Sequence, residues 1–386
     1  MYGAQLIEAL RETLRSEHSG PVAGATPSIV EFFGVGGEKM RAAGCEIVVD
    51  AKDLSVVGIT EILGHLPKIW GLFHKLIAEA DTRRPDLAVV IDSPAFNWRV
   101  ARQMKKRGVP VVYYVCPQFW AWRQGRVRLL RKYVDQALVI FPFEEKFYRD
   151  RGVNAEFVGH PLAELPRPTI SREQYAAEHG LVASKPWITL MPGSRAKEVR
   201  MNLPEMLRAA KMLGTDYDFV LPVAPTVSKS LIHELMGRND GATATIHLTT
   251  EALPALAHSR AGIIASGTAT VEAAMMETPF VMVYRVTPLT YLLGRWTVKV
   301  PHFAMVNLIA GEEVVPELVQ QDFKAERVVA ELKQIIQDGT RREKMIAGLR
   351  RVKLLLRGHV DGNAPQHAAR AIVQLLKVGT SEAARS

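Results

Sequence analysis

The sequence predicts an α/β protein built from two doubly wound halves, and three observations carry that prediction. Short apolar runs such as Leu87-Ala-Val-Val-Ile91 and Gly262-Ile-Ile-Ala265 are bounded by turn residues, as parallel strands buried on both faces should be. Those runs alternate with amphipathic stretches of helical period, the pattern of βαβ units. The alternation occurs twice, on either side of the linker candidate Pro166-Arg167-Pro168. A chain of 386 residues suits two domains. The boundaries read as 1–165 and 166–357, with a last helix in 358–386 packing back on the first domain.

Hydrophobic residues make up 48% and charged residues 23% of the chain, the balance of a globular protein with a full core. A formal net charge of +9 favours an anionic partner: nucleic acid, an acidic membrane surface or a phosphorylated substrate. The two cysteines, Cys45 and Cys116, argue for a reducing compartment, with neither a disulfide framework nor a metal-ligand cluster. No run approaches the ~20 apolar residues of a membrane span. Met1 opens into an amphipathic stretch rather than a signal peptide, so a cytoplasmic location is the default.

Residues 4–14 read as a helix with Leu6, Ile7, Leu10 and Leu14 on one face. Doubly wound folds normally open with a strand and a glycine loop, so the first strand is expected upstream of Met1. Residues 28–35 are the first visible strand, running into the turn Gly34-Val-Gly-Gly37; residues 39–43 form a short helix and 46–49 a strand. Ile59, Ile62, Leu63, Leu66, Ile69, Trp70, Phe73, Leu76 and Ile77 then form a long helical stripe. A stripe of this kind ordinarily faces a core. Its bulk, with Lys68 and Lys75 beside it, leaves open a face that rests on a bilayer.

Residues 87–91 read as a central strand that ends in Asp92-Ser93-Pro94. Ligands bind at the carboxyl ends of strands in open α/β sheets, so Asp92 sits where chemistry would sit; the alternative is that Asp92 or Ser93 caps the next helix. A strand at 109–115 leads into Cys116-Pro-Gln-Phe-Trp-Ala-Trp-Arg123. Its aromatic residues are costly to expose and are expected to wall a pocket or pack under the strand ends. Arg123, Arg126, Arg128, Arg131 and Lys132 follow as a basic helix, either a solvated face or one that meets phosphate or lipid. Strands at 137–141 and 155–158 flank a helix at 144–151.

In the second half, strands are predicted at 187–191, 218–222, 244–248, 262–265 and 280–284. The first lies in Ile188-Thr-Leu-Met-Pro-Gly-Ser-Arg195 and precedes a helix with Leu203, Met206, Leu207, Ala210 and Leu213 on one face. Strand, glycine turn and helix start together make a phosphate seat. Gly193 lets the backbone approach, the N–H groups after it and the helix dipole favour an anion, and Arg195 adds a charged fork. The plain alternative is an ordinary strand-to-helix turn. Ile263-Ile-Ala-Ser-Gly-Thr-Ala-Thr-Val-Glu272 has the same form. Ser266, Gly267 and Thr268 suit a diphosphate, and Glu272, read in the first turn, suits the two hydroxyls of a ribose. A capped helix with a dipole-favoured Glu is the alternative. Residues 341–357 read as a basic helix, 365–377 as a final amphipathic helix, and 379–386 as a disordered tail.

These residues together resemble lipid-A-disaccharide synthase, a family of membrane-associated glycosyltransferases. The likeness rests on Phe33-Gly-Val-Gly-Gly37, Val57-Gly-Ile59, Val90-Ile-Asp-Ser-Pro94, Trp120-Ala-Trp-Arg123, Phe157-Val-Gly-His-Pro161, Leu190-Met-Pro-Gly-Ser-Arg195, Ala265-Ser-Gly-Thr-Ala269 with Glu272, and Asn307-Leu-Ile-Ala-Gly311, in that order. The family pattern begins with a strand and a Gly-Glu-x-Ser-Gly-Asp loop, and this chain opens just after it.

The resemblance implies a GT-B fold, two Rossmann-like domains facing across a cleft. It implies transfer of 2,3-diacylglucosamine, with inversion, from UDP-2,3-diacylglucosamine to the 6-hydroxyl of 2,3-diacylglucosamine 1-phosphate, with no cofactor and no metal. Asp92 is then the expected base, and Arg195 the group that steadies the leaving UDP. Gly193, Ser194, Ser266, Gly267, Thr268 and Glu272 would hold the donor, and Asn307 would line its site on the family likeness rather than on local physics. Ile59, Ile62, Leu63, Leu66, Ile69, Trp70 and Met201 would meet acyl chains or the anionic inner face of the cytoplasmic membrane. A homodimer is left open. The rivals are another UDP-sugar enzyme of this architecture (an epimerase or a peptidoglycan transferase), a non-catalytic nucleotide- or lipid-binding protein, and nucleic-acid binding, for which no reader motif is present.

Overall fold

The computed structural model describes residues 2–18, 30–54, 59–237, 244–287, 300–358 and 362–383, with the side chains of 17–18, 59–66 and 378–383 left outside the description. The chain divides into two compact units, Met1–Pro161 with Gly358–Ser386, and Leu162–Arg357.

The first unit runs α1 (Tyr2–His18), β1 (Phe32–Gly36), α2 (Glu38–Ala42), β2 (Cys45–Asp50), α3 (Ala51–Leu54), α4 (Ile59–Arg83), β3 (Ala88–Ile91), α5 (Pro94–Lys106), β4 (Val111–Tyr114), α6 (Val127–Tyr133), β5 (Gln136–Val139), α7 (Pro142–Arg149) and β6 (Ala155–Phe157). Among the described residues every strand pair in it is parallel, in two groups: β1 with β2, and β3-β4-β5-β6. The predicted first strand is shorter than expected, and its start at Ser28 lies outside the described residues.

One expectation for this unit is corrected. The apolar run at 87–91 was expected to be a central strand; among the described residues β3 is instead the edge of its four-strand group, paired with β4. Its Val90 is buried while Ala88, Val89 and Ile91 are half-buried, whereas β4 is buried throughout. The stripe on α4 splits. Phe73, Leu76, Ile77 and Ala80 join one core with Val49, Val90, Val111 and Tyr113, so this part of the stripe packs inward, as amphipathic faces usually do. Trp70 is 57% exposed and stacks on Phe73 at 5.6 Å between ring centroids. The side chains of Ile59, Ile62, Leu63 and Leu66 lie outside the described residues.

The second unit contains α8 (Arg172–His179), β7 (Trp187–Met191), α9 (Ala196–Leu213), β8 (Asp218–Pro222), α10 (Lys229–Gly237), β9 (Ile246–Thr249), α11 (Ala252–His258), β10 (Ala261–Ala265), α12 (Thr268–Met276), β11 (Phe280–Tyr284), helix Met305–Ala310, β12 (Glu317–Val319), and helices Ala325–Ile336 and Thr340–Arg357. Its six strands among the described residues are parallel in the order β12-β11-β10-β7-β8-β9. The first strand of the unit therefore lies in the middle, and successive strands add first to one side and then to the other, with the reversal between β7 and β10. This is the doubly wound arrangement, and its crevice lies where the order reverses. The inward face of α9 is as the periodicity predicts, with Leu203, Met206, Leu207, Ala210 and Leu213 all buried.

β12 was not anticipated: it is three residues long, and its first, Glu317, is a carboxylate spent on local hydrogen bonds. The last helix, Ala364–Ala383, belongs to the first unit and packs against α1. It runs past Gly379, so residues 379–383, expected in a tail, are helical.

Candidate active site

At the reversal point of the second unit, β7 and β10 are hydrogen-bonded neighbours with Met191 opposite Ile264. The turns that leave them, Pro192–Arg195 and Ser266–Thr268, therefore emerge side by side at the carboxyl edge of the sheet. Both turns were expected to seat an anion, and the two differ in how much of each is open.

In the first turn Gly193 holds φ at +122°, a conformation that favours glycine. Glu198, one turn into α9, folds back over it. Its Oε2 accepts from the N–H groups of Ser194 (3.1 Å) and Arg195 (3.3 Å), and its Oε1 pairs with the Arg195 guanidinium at 2.8 Å. The expected free N–H groups after Gly193 are thus occupied from within, which corrects that part of the seat. Arg195 keeps an 80% exposed side chain. Asn202, fully buried, fixes the turn from below: its Nδ2 donates to Pro192 O (2.9 Å), and its Oδ1 accepts from Arg285 N (3.0 Å) just beyond β11. Thr226 closes the rim through a hydroxyl donated to Ser194 O.

The second turn is more open. Gly267 has φ +143°, and a Cβ at that position would meet no atom within 4 Å, so backbone conformation selects glycine. Among the described residues no acceptor is found for the N–H groups of Gly267, Thr268 and Ala269, which are the orphan donors of a helix start. Thr268 is exposed. Ser266 is only half available, since its hydroxyl donates to Phe303 O at 2.8 Å. Glu272 is the fifth residue of α12, beyond the first turn in which it was expected. It is half-buried, and burial raises its pKa. No hydrogen-bond or ion-pair partner for it occurs among the described residues.

Asn307 does not present its amide to a ligand. It is fully buried, and both ends are used: Nδ2 donates to Val315 O (2.9 Å) and Glu317 Oε1 (2.8 Å), while Oδ1 accepts from the N–H groups of Val314 and Val315. Glu317 also takes the N–H groups of Phe303 and Ala304. Asn307 and Glu317 therefore shape the loop whose Phe303 carbonyl receives Ser266.

In the first unit, Asp92 leaves β3 with φ +48°, followed by Ser93 at φ +41°. Two consecutive non-glycine residues in the left-handed region are strained, and such strain persists only where neighbours hold it. Here Asp92 O accepts from Asn97 Nδ2 and from the Tyr113 hydroxyl, each at 2.7 Å. The Asp92 side chain is exposed, and neither it nor Ser93 makes a capping hydrogen bond, so the helix-cap alternative finds no support. The carboxylate lies close enough to Tyr2 to raise that hydroxyl's pKa, second to burial.

The aromatic loop after β4 packs under the strand ends, one of its two expected forms. Phe119 and Trp120 are buried, and Trp120 Nε1 donates to Glu144 Oε1 at 2.8 Å. Glu144 is fully buried at the start of α7 and also accepts from Ile140 and Phe141 N–H groups. Burial pushes its carboxyl up to about 7, against those three hydrogen bonds. Trp122 stays 47% exposed beneath the Arg123 guanidinium, 4.2 Å from its ring centre. Of the remaining predicted contact residues, Ile69 and Met201 are half-buried. Among the described residues no helix is long and apolar enough to cross a membrane, and no cluster of His, Cys, Asp and Glu could hold a metal.

Solved structures with this arrangement are GT-B glycosyltransferases and sugar-nucleotide epimerases. The calicheamicin glycosyltransferase CalG4 aligns at TM-score 0.55 and 17% identity over 97% of this chain and 94% of its own. A Staphylococcus aureus MnaA–UDP structure aligns at TM-score 0.57 and 13% identity over 92% and 97%. At such identities the likeness defines the fold, GT-B. The model of the lipid-A-disaccharide synthetase family matches residues 1–372. Lipid-A-disaccharide synthases from Koribacter versatilis and Myxococcus xanthus are 50% and 40% identical, over 97% and 96% of this chain and 95% and 96% of theirs. The chain belongs to the lipid-A-disaccharide synthetase family and is a glycosyltransferase of lipid A assembly.

Proposed function

We propose that the chain transfers 2,3-diacylglucosamine from its UDP derivative to the 6-hydroxyl of 2,3-diacylglucosamine 1-phosphate, with inversion, and releases UDP. The observation that carries the reading is the pair of glycine turns at the β7/β10 reversal, with Arg195 exposed at one and three open N–H groups at the other. Those groups suit a diphosphate whose charge grows as the glycosidic bond breaks, and fixed donors there stabilise the leaving group electrostatically. Glu272, a carboxylate without a partner among the described residues, accepts from the ribose hydroxyls. Asn307 acts through Glu317 and the Phe303 loop rather than by touching the donor.

Inversion requires one base to take the proton of the attacking hydroxyl. Asp92 fills that role: it is exposed, unpaired among the described residues, and held in a fixed backbone geometry by Asn97 and Tyr113. Because both substrates carry acyl chains, the protein works at the inner face of the cytoplasmic membrane. Ile69, Trp70, Met201 and the cations of α6 are the contact candidates among described side chains.

Incubation with diacylated donor and acceptor, followed by UDP release and product mass, tests the reaction. Asp92→Asn should abolish turnover and leave UDP affinity within about twofold of the parent; normal turnover by this variant would remove Asp92 from the mechanism.

A further inference from the structure

The turn that looks most like a phosphate seat in sequence is already filled by the chain's own carboxylate. We infer that Glu198 is a positioning residue: it closes the Ser194 and Arg195 N–H groups to ligand and holds one edge of the Arg195 guanidinium, so that the free edge, with the Ser266–Thr268 turn, receives the anion. This deepens the donor-site reading above and rests on it.

Three observations support a fixed brace over a displaceable stand-in. Glu198 makes all three contacts at once, two to backbone N–H groups and one to the guanidinium at 2.8 Å, and a carboxylate so shared is held by charge-assisted hydrogen bonds. It is wedged in place: a Cβ built on Gly193 would lie 2.6 Å from Glu198 Oε2 and 2.7 Å from Glu198 Cβ. Glycine at 193 thus makes room for Glu198 as well as for the turn. The exposure is one-sided, with the Glu198 side chain 26% accessible and that of Arg195 80%. A guanidinium carries five N–H donors in a rigid fork, so pairing one edge with Glu198 leaves another edge for a phosphate. Next to it, the N–H groups of Gly267, Thr268 and Ala269 have no internal acceptor among the described residues. Burial first and the Glu198 charge second raise the Tyr284 hydroxyl, with Arg195 opposing, so the end of β11 shares this space.

The test is a double-mutant cycle on UDP binding by calorimetry, using full-length parent, Glu198→Gln, Arg195→Ala and the double variant, with thermal unfolding alongside. Glu198→Gln should weaken UDP by about tenfold with an unchanged unfolding midpoint. The double variant should bind within about twofold of Arg195→Ala alone, because the two residues act as a unit. A Gln variant that binds UDP more tightly would make Glu198 an internal competitor and overturn the inference. Unchanged affinity, or losses that multiply in the double variant, would overturn it too. If the Gln variant does not fold, Gly193→Ala drives the carboxylate off the turn and should reproduce both the loss and its non-additivity with Arg195→Ala; parental affinity there counts against the brace. A parent protein that fails to bind UDP would instead sink the donor-site reading itself.

Discussion

Two buried ionisable residues of the first unit oppose each other in their response to pH. Burial pushes Glu144 up to about 7 from 4.5, so the folded form holds a proton that the unfolded chain releases. Its stabilising effect is complete below pH 4.5 and is lost as pH rises towards 7. Burial drives His160 down to about 4 from 6.5, so the unfolded chain takes a proton that the folded one refuses. Its effect is present above 6.5 and is lost as pH falls towards 4. Between these limits the slopes have opposite sign and largely cancel. Glu144→Gln should therefore lose about 3 kcal/mol more than the parent on acidification from pH 6.5 to 4. His160→Asn should lose a similar amount more on moving from pH 4.5 to 7. Urea unfolding across this range measures both, and parallel curves for all three proteins would contradict the assignment.

At the scale of elements, α4 poses the question of core against membrane most directly. Phe73 is 5% exposed and sits inside the core cluster, while Trp70, one turn before it, is mostly open. Phe73→Ala should cost about 3–5 kcal/mol of stability, as large-to-small changes in a packed core do. Trp70→Ser should change stability by about 0.5 kcal/mol or less. If the exposed ring touches lipid, the same substitution should reduce co-sedimentation with vesicles containing anionic phospholipid. A severe loss of fold in the Trp70 variant would show that the ring is structural.

Elements also differ in how far they can be read from sequence. Strands at 187–191, 218–222 and 280–284 coincide with β7, β8 and β11 because their apolar runs are buried on both faces. The run 87–91 gives the same signal at an edge, since composition reports burial and says nothing of pairing partners. The glycine turns were legible because φ +122° and +143° leave few other residues a choice. The occupant of the first turn was not, because an acid near a helix start looks the same whether it favours the dipole or fills the turn. Asn202 was illegible as a partner for a different reason: it reaches a residue 83 positions away, and nothing in local pattern marks that.

For the molecule as a whole, the first unit draws on both ends of the chain, with helix Ala364–Ala383 packed against α1 and Ala368, Ala369, Ile372 and Val373 buried. Deleting 358–386 should therefore destabilise the first unit selectively. Calorimetric scanning should show one transition moving down by several degrees while the other, belonging to Leu162–Arg357, stays in place. A single unshifted profile would mean that the last helix adds little.

The discontinuous first unit also has a consequence for how the protein is made. During synthesis, everything needed for Leu162–Arg357 leaves the ribosome before the final helix does. Leu162–Arg357 can therefore fold while translation continues, but α1 must wait for its partner until helix Ala364–Ala383 has been made. Its apolar face, Leu6, Ile7 and Leu10, stays uncovered for most of that time. The nascent chain is thus vulnerable to chaperone capture or aggregation at α1 until the final helix is made.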